Sequence, residues 1–103
     1  MKELGPILKK FLKDHNLWQS YQHYQLVDSW GSIVGESLAA VSRAESLQKG
    51  VLVVFVKDSV WSYHLSMLKP ELIKKLNQYI GTRLVKDIHF RIGDLKKEDQ
   101  EKV

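Results

Sequence analysis

The chain has no cysteine, which excludes disulfides and thiolate zinc sites and makes an intracellular, cytoplasmic setting the expectation. Its apolar runs are short. None approaches the ~18 residues of a membrane span, so no membrane partner is expected. The N-terminal lysines are not followed by an apolar segment and small-residue cleavage site, so no signal peptide is read. The phosphate loop G-x-x-x-x-G-K-[ST] and the nucleophile elbow G-x-S-x-G are both missing. Carboxylates are scattered one to an element, with no acid/base pair among them. Four histidines (His15, His23, His64 and His89) fall in separate elements, without the i, i+4 spacing of a helical metal site. No enzymatic activity, cofactor, metal or small-molecule substrate is therefore expected.

What remains fits a single domain over residues 1–93, followed by a charged, mobile tail over 94–103. With 103 residues and 44% apolar content, one core is feasible without staples. Leu4, Ile7, Leu8, Phe11 and Leu12 recur at helical spacing, with Pro6 in the first turn. A second helix is predicted from about Leu17, its buried stripe formed by Leu26, Val27, Trp30, Ile33, Val34 and Leu38. Gly31 and Gly35 inside it cost about 1 kcal/mol each relative to alanine, so close packing or a kink must explain them. Ser42–Leu47 reads as a strand, Gln48-Lys49-Gly50 as a hairpin turn, and Val51–Val56 as a central strand apolar on both faces. Asp58 or Ser59 caps the next helix, whose stripe is Val60, Trp61, His64, Leu65 and Leu68. Pro70 either kinks that helix or begins another, which Gly81 ends. In the last strand, Leu84–Ile92, the residues Ile88, Phe90 and Ile92 face the helices and Asp87, His89 and Arg91 face water.

The predicted architecture is α+β: a two-layer fold with a three-stranded sheet, helices on one face and the order α-α-β-β-α-α-β. Without the first helix, this order looks like the type II (prokaryotic) KH arrangement. KH domains clamp nucleic acid with a G-x-x-G loop between the two helices after the hairpin. The corresponding stretch here, Met67-Leu68-Lys69-Pro70-Glu71, has no glycine, so a KH-like domain of this sequence must use its surface differently.

Charge is concentrated. Lys69, Lys74, Lys75, Arg83, Lys86 and Arg91 face only Glu71 and Asp87 in that segment, which carries the whole net charge of +4. Such a patch suits a phosphate backbone or an acidic protein surface, or simply a solvated face. Lys74, Lys75, Arg83, Lys86, His89 and Arg91 are the candidate nucleic-acid contacts, with His89 either stacking on a base or solvated. The tryptophans are first of all core, and Trp61 is the candidate anchor for a protein partner. His64 reads as a half-buried packing residue.

Several pieces occur in order with fitting gaps. They are Trp30-x3-Val34-Gly35, Leu38-Ala39, Ser42, Leu47-x2-Gly50-Val51-Leu52-Val53-Val54, Ser59-Val60-Trp61-x3-Leu65, Leu72, Leu76-Asn77, Gly81 and Val85–Gly93. Together they resemble the DciA family over about Gln25 to Gly93. The resemblance implies a KH-like, non-catalytic factor of bacterial DNA replication initiation. It would bind the hexameric replicative helicase of the DnaB type and help load it on single-stranded DNA. The alternative is a general single-stranded nucleic-acid-binding module, for RNA or DNA; a third is a protein-interaction domain without a nucleic-acid role.

Overall fold

A computed structural model describes residues 5–95 of the chain. Leu4 of the first stripe, and all of the predicted tail beyond Leu95, lie outside the described residues. The elements run α1 (Pro6–Asp14), α2 (Trp18–Asp28), α3 (Trp30–Val34), α4 (Glu36–Ala39), β1 (Ser42–Gln48), β2 (Val51–Val56), α5 (Ser59–Met67), α6 (Lys69–Ile80) and β3 (Asp87–Ile92). This is the expected α+β, KH-like order, with three short helices where the sequence pattern predicts one.

The two glycines of that predicted helix explain the break. Gly35 takes φ 98°, ψ 163°, a conformation open essentially to glycine alone, and α3 ends there. The reversal folds α4 back on α3, so a Cβ at Gly31 would sit 3.3 Å from that of Ala39. One glycine turns the chain and the other admits the element that turning brings back. Trp30 is buried beside them, its indole N–H donating to Ser42 Oγ at 3.0 Å; that hydroxyl in turn donates to the Leu38 carbonyl.

β1 and β2 form an antiparallel hairpin closed by Lys49 and Gly50. Both take positive φ (53° and 82°), as a type I′ turn requires. β2 is central and pairs in parallel with β3, Val51 opposite Asp87 and Val56 opposite Ile92. The pleat sends Leu52, Val54 and Val56 into the core with Leu47 and Ile88, against Leu26, Trp30, Leu65, Leu72 and Leu76 from the helices. The other face carries Val51, Val53 and Phe55, flanked by Arg43, His89 and Arg91.

Several expectations need correction. The last strand begins at Asp87, not Leu84, because the preceding backbone has other partners, described below. Ile92 is 61% exposed: it is the final residue of an edge strand and outruns the helical layer. On α5 only Leu65 is fully buried. Val60 and His64 point to water, because the helix rests on the sheet through Trp61, Leu65 and Leu68. Pro70 separates two helices, with Leu68 at the corner and both neighbouring turns hydrogen-bonded through it. That corner has no open loop, so it lacks the G-x-x-G clamp in structure as well as in sequence.

Candidate nucleic-acid interface

The geometry of the basic surface begins with an amide. Asn77, on the third turn of α6, donates from Nδ2 to the Val85 carbonyl (2.9 Å) and accepts from the Val85 N–H at Oδ1 (2.8 Å). This two-bond clamp holds residues 82–86 against the helix that Gly81 has just ended in the left-handed conformation. Val85 is thereby buried, which leaves its neighbours Arg83 and Lys86 outside. A second tie comes from the hairpin: the Gly50 carbonyl accepts from the N–H groups of Lys86 (2.7 Å) and Asp87 (3.1 Å). The hairpin tip is thus fixed against the segment before β3, with Lys49 beside Lys86.

A groove of about 370 Å³ opens at this junction, lined by Gln19, His23, Lys49, Gly50, Arg83, Leu84 and Lys86. Three side chains in it are cationic and none is acidic. Among the described residues, Lys49, Arg83 and Lys86 have no ion-pair partner. A second, shallower hollow on the other side of Arg83 is lined by Lys74, Asn77, Gln78, Gly81 and Thr82. Arg83 belongs to both, so the positive surface continues from the hairpin tip to the end of α6. Unpaired cations held by a fixed backbone attract phosphate without first having to break ion pairs.

The sequence-derived candidates divide between surfaces. Arg83 and Lys86 line the groove, and Lys74 lines the hollow beyond Arg83. Lys75 is exposed on α6 but lines neither. His89 and Arg91 lie on the open sheet face, opposite Val53 and Phe55 of β2. His89 also stands 3.4 Å from Asp87, whose other oxygen holds Lys69 Nζ at 3.0 Å. The Lys69 hydrogen bond, then the Ile88 N–H, keep the Asp87 carboxyl below its ordinary pKa. The structure adds Lys49 and His23, which sequence reasoning missed because a turn and a distant helix meet there only in the folded chain.

Trp61 sits elsewhere, half-buried on α5, with the ring of His64 edge-on at 5.5 Å. The Asp58 carboxylate caps this helix by accepting from the Trp61 N–H at 3.0 Å. Outward of Trp61, Val60, Tyr63 and Met67 are 65–72% exposed along one face of a helix that carries no Lys, Arg, Asp or Glu. The basic groove and this uncharged face are therefore distinct surfaces.

The family model for DciA, described as Dna[CI] antecedent, matches residues 3–90. The chain belongs to the DciA family. The match covers α1 through most of β3, reaching well before the Gln25–Gly93 stretch on which the resemblance was read. A UPF0232 protein of Rhodococcus jostii is 29% identical over 61 residues, 59% of this chain and 32% of that protein. The chain thus spans about a third of the length of the curated relative it matches. No helix among the described residues is long and apolar enough to cross a membrane.

Proposed function

We propose that this DciA-family chain is a non-enzymatic replication factor that associates with a DnaB-type replicative helicase and helps place it on single-stranded DNA. The observation that carries the DNA half of this reading is the groove of Lys49, Arg83 and Lys86, cationic and, among the described residues, without an ion-pair partner or a lining carboxylate. Family membership carries the helicase half. In this reading, the strand's phosphates occupy the groove and continue past Arg83 toward Lys74. His89 and Arg91 face bases or a second stretch of strand across the open sheet face. The uncharged face of α5, anchored by Trp61, meets protein: aromatic and methionine side chains suit the dry centre of such a contact. The work is done by binding energy. Preference for one conformation of the helicase ring shifts the ring toward that state.

Size-exclusion chromatography with light scattering tests the reading on the chain, the helicase of its source cell and a short oligonucleotide, alone and together. A complex of chain and helicase, joined by the oligonucleotide, is expected. Oligonucleotide binding with no helicase complex at micromolar concentration and low salt would favour the general nucleic-acid module instead.

A further inference from the structure

The four histidines are not equally occupied. His15 sets its ring on Phe11, centroids 4.2 Å apart, with Nδ1 2.9 Å from the Phe11 carbonyl oxygen. His64 stands edge-on to Trp61, and His89 lies beside Asp87. His23, half-buried on α2, has no hydrogen-bond, ion-pair or ring partner among the described residues, and it lines the basic groove. Gln19 lines the groove too, four residues earlier and equally without a partner there; that spacing puts both side chains on one helix face. The groove is thus mixed in chemistry. The hairpin tip and residues 83–86 bring Lys49, Arg83 and Lys86, whereas α2 brings an imidazole and an amide.

We propose that α2 is the base-contacting side of this groove: one unstacked base of a single strand lies on the His23 ring, with its polar edge against the Gln19 amide. The inference rests on the functional reading above and deepens it, assigning selectivity for single strands to these two side chains. Phosphate goes to the three cations, because charge-assisted hydrogen bonds are roughly twice as strong as neutral ones. A base supplies what the α2 side lacks: a π face for the ring, and a mixed edge for an amide that both donates and accepts. At about 370 Å³ the groove is at the small end of ligand sites and admits one nucleotide unit. A duplex keeps its base faces stacked inside and offers this ring only backbone. Stacking tolerates every base, so the contact selects unpaired bases and not a sequence.

Fluorescence anisotropy on the full chain tests this with three probes of equal length: a single strand, its duplex and a single strand of abasic sites. The natural chain is expected to hold the base-bearing strand most tightly. His23→Ala with Gln19→Ala removes no described bond, so the circular dichroism spectrum and melting temperature are expected to hold. Affinity for the base-bearing strand is expected to fall about tenfold or more, as the loss of one stacked base implies. Abasic-strand affinity and the salt slope should not move. His23→Phe keeps a ring and is expected to keep most of the affinity. A double variant that binds the base-bearing strand like the natural chain overturns the inference and leaves the functional reading standing. Equal losses on the base-bearing and abasic strands make His23 and Gln19 phosphate or scaffold residues, and also overturn it. A natural chain that binds no oligonucleotide, or binds it unchanged after Lys49→Glu with Arg83→Glu, overturns both the inference and the DNA half of the reading.

Discussion

Two regions of the described chain, the hairpin tip and α1, use cations in opposite ways. Around the hairpin tip, Lys49, Arg83 and Lys86 stand on backbone that is tied down twice, by Asn77 and by the Gly50 carbonyl. On α1, Lys9, Lys10 and Lys13 stand on a helix with no buried residue, and each already has a neighbour: the Trp18 ring or Asp14. Fixed, unpaired cations present a ready phosphate site. Cations lying along an exposed helix instead cover apolar surface and leave that helix dependent on what it meets. The lesson is that positive charge alone does not locate a nucleic-acid site; the backbone beneath it does.

Substitutions that sharpen this contrast should separate cleanly in stability. Trp30→Ala removes a buried ring and leaves the Ser42 hydroxyl without its indole donor, so a loss of about 3–5 kcal/mol is expected in chemical denaturation. Asn77→Ala unties residues 82–86 and leaves the Val85 backbone unpartnered. A cost of about 2 kcal/mol is expected, and oligonucleotide affinity should fall although no cation has been removed. Gly50→Ala forces a side chain to φ 82°, where its Cβ would lie 3.0 Å from Lys86 Cδ. It should cost about 1–2 kcal/mol and disturb the groove together with the turn. Phe11→Ala, by contrast, should change stability by less than about 0.5 kcal/mol, because no described contact is buried there. A loss near that of Trp30→Ala would show that α1 belongs to the core and would erase the contrast.

The smallest effect concerns the titration of Asp87. Lys69 and the Ile88 N–H stabilise the ionised Asp87, so its folded-state pKa lies below the unfolded value. Stability from this carboxylate is present above the unfolded value and is lost as pH falls through the folded one. Carbon-detected NMR should follow that titration, and Lys69→Met should move it upward, since the largest cause is removed. Asp87 is well exposed, so the accompanying change in melting temperature should be slight.

Much of the fold was legible in the residues, for identifiable reasons. Val51–Val56 alternates between core and open face yet is apolar throughout, which suits a central strand only. Gly50 and Gly81 stand where positive φ is needed, and Asp58 stands at a helix start. The split of α2, α3 and α4 was hidden because Trp30, Ile33 and Val34 keep helical spacing through it; only Gly31 and Gly35 signalled a problem, without its solution. The start of β3 was misplaced because Asn77, eight residues earlier, takes the Val85 backbone groups a strand would use. The candidate site was half legible. Arg83 and Lys86 fall in the charge-rich segment, whereas Lys49 and His23 reach the groove through contacts that no local pattern encodes. Exposure of the α1 and α5 stripes was likewise invisible, since periodicity shows that a helix has an apolar face but not that another layer covers it.

The central claim is that single-stranded nucleic acid is held by the groove at the hairpin tip. Oligonucleotide affinity measured against salt tests it most directly, comparing the natural chain with Lys49→Glu plus Arg83→Glu and, as a control, with Lys75→Glu. The account predicts that the natural log–log slope, about −0.7 for each neutralised phosphate, loses roughly two such increments in the double variant and little in the control. A double variant that binds as tightly and as salt-dependently as the natural chain would contradict it.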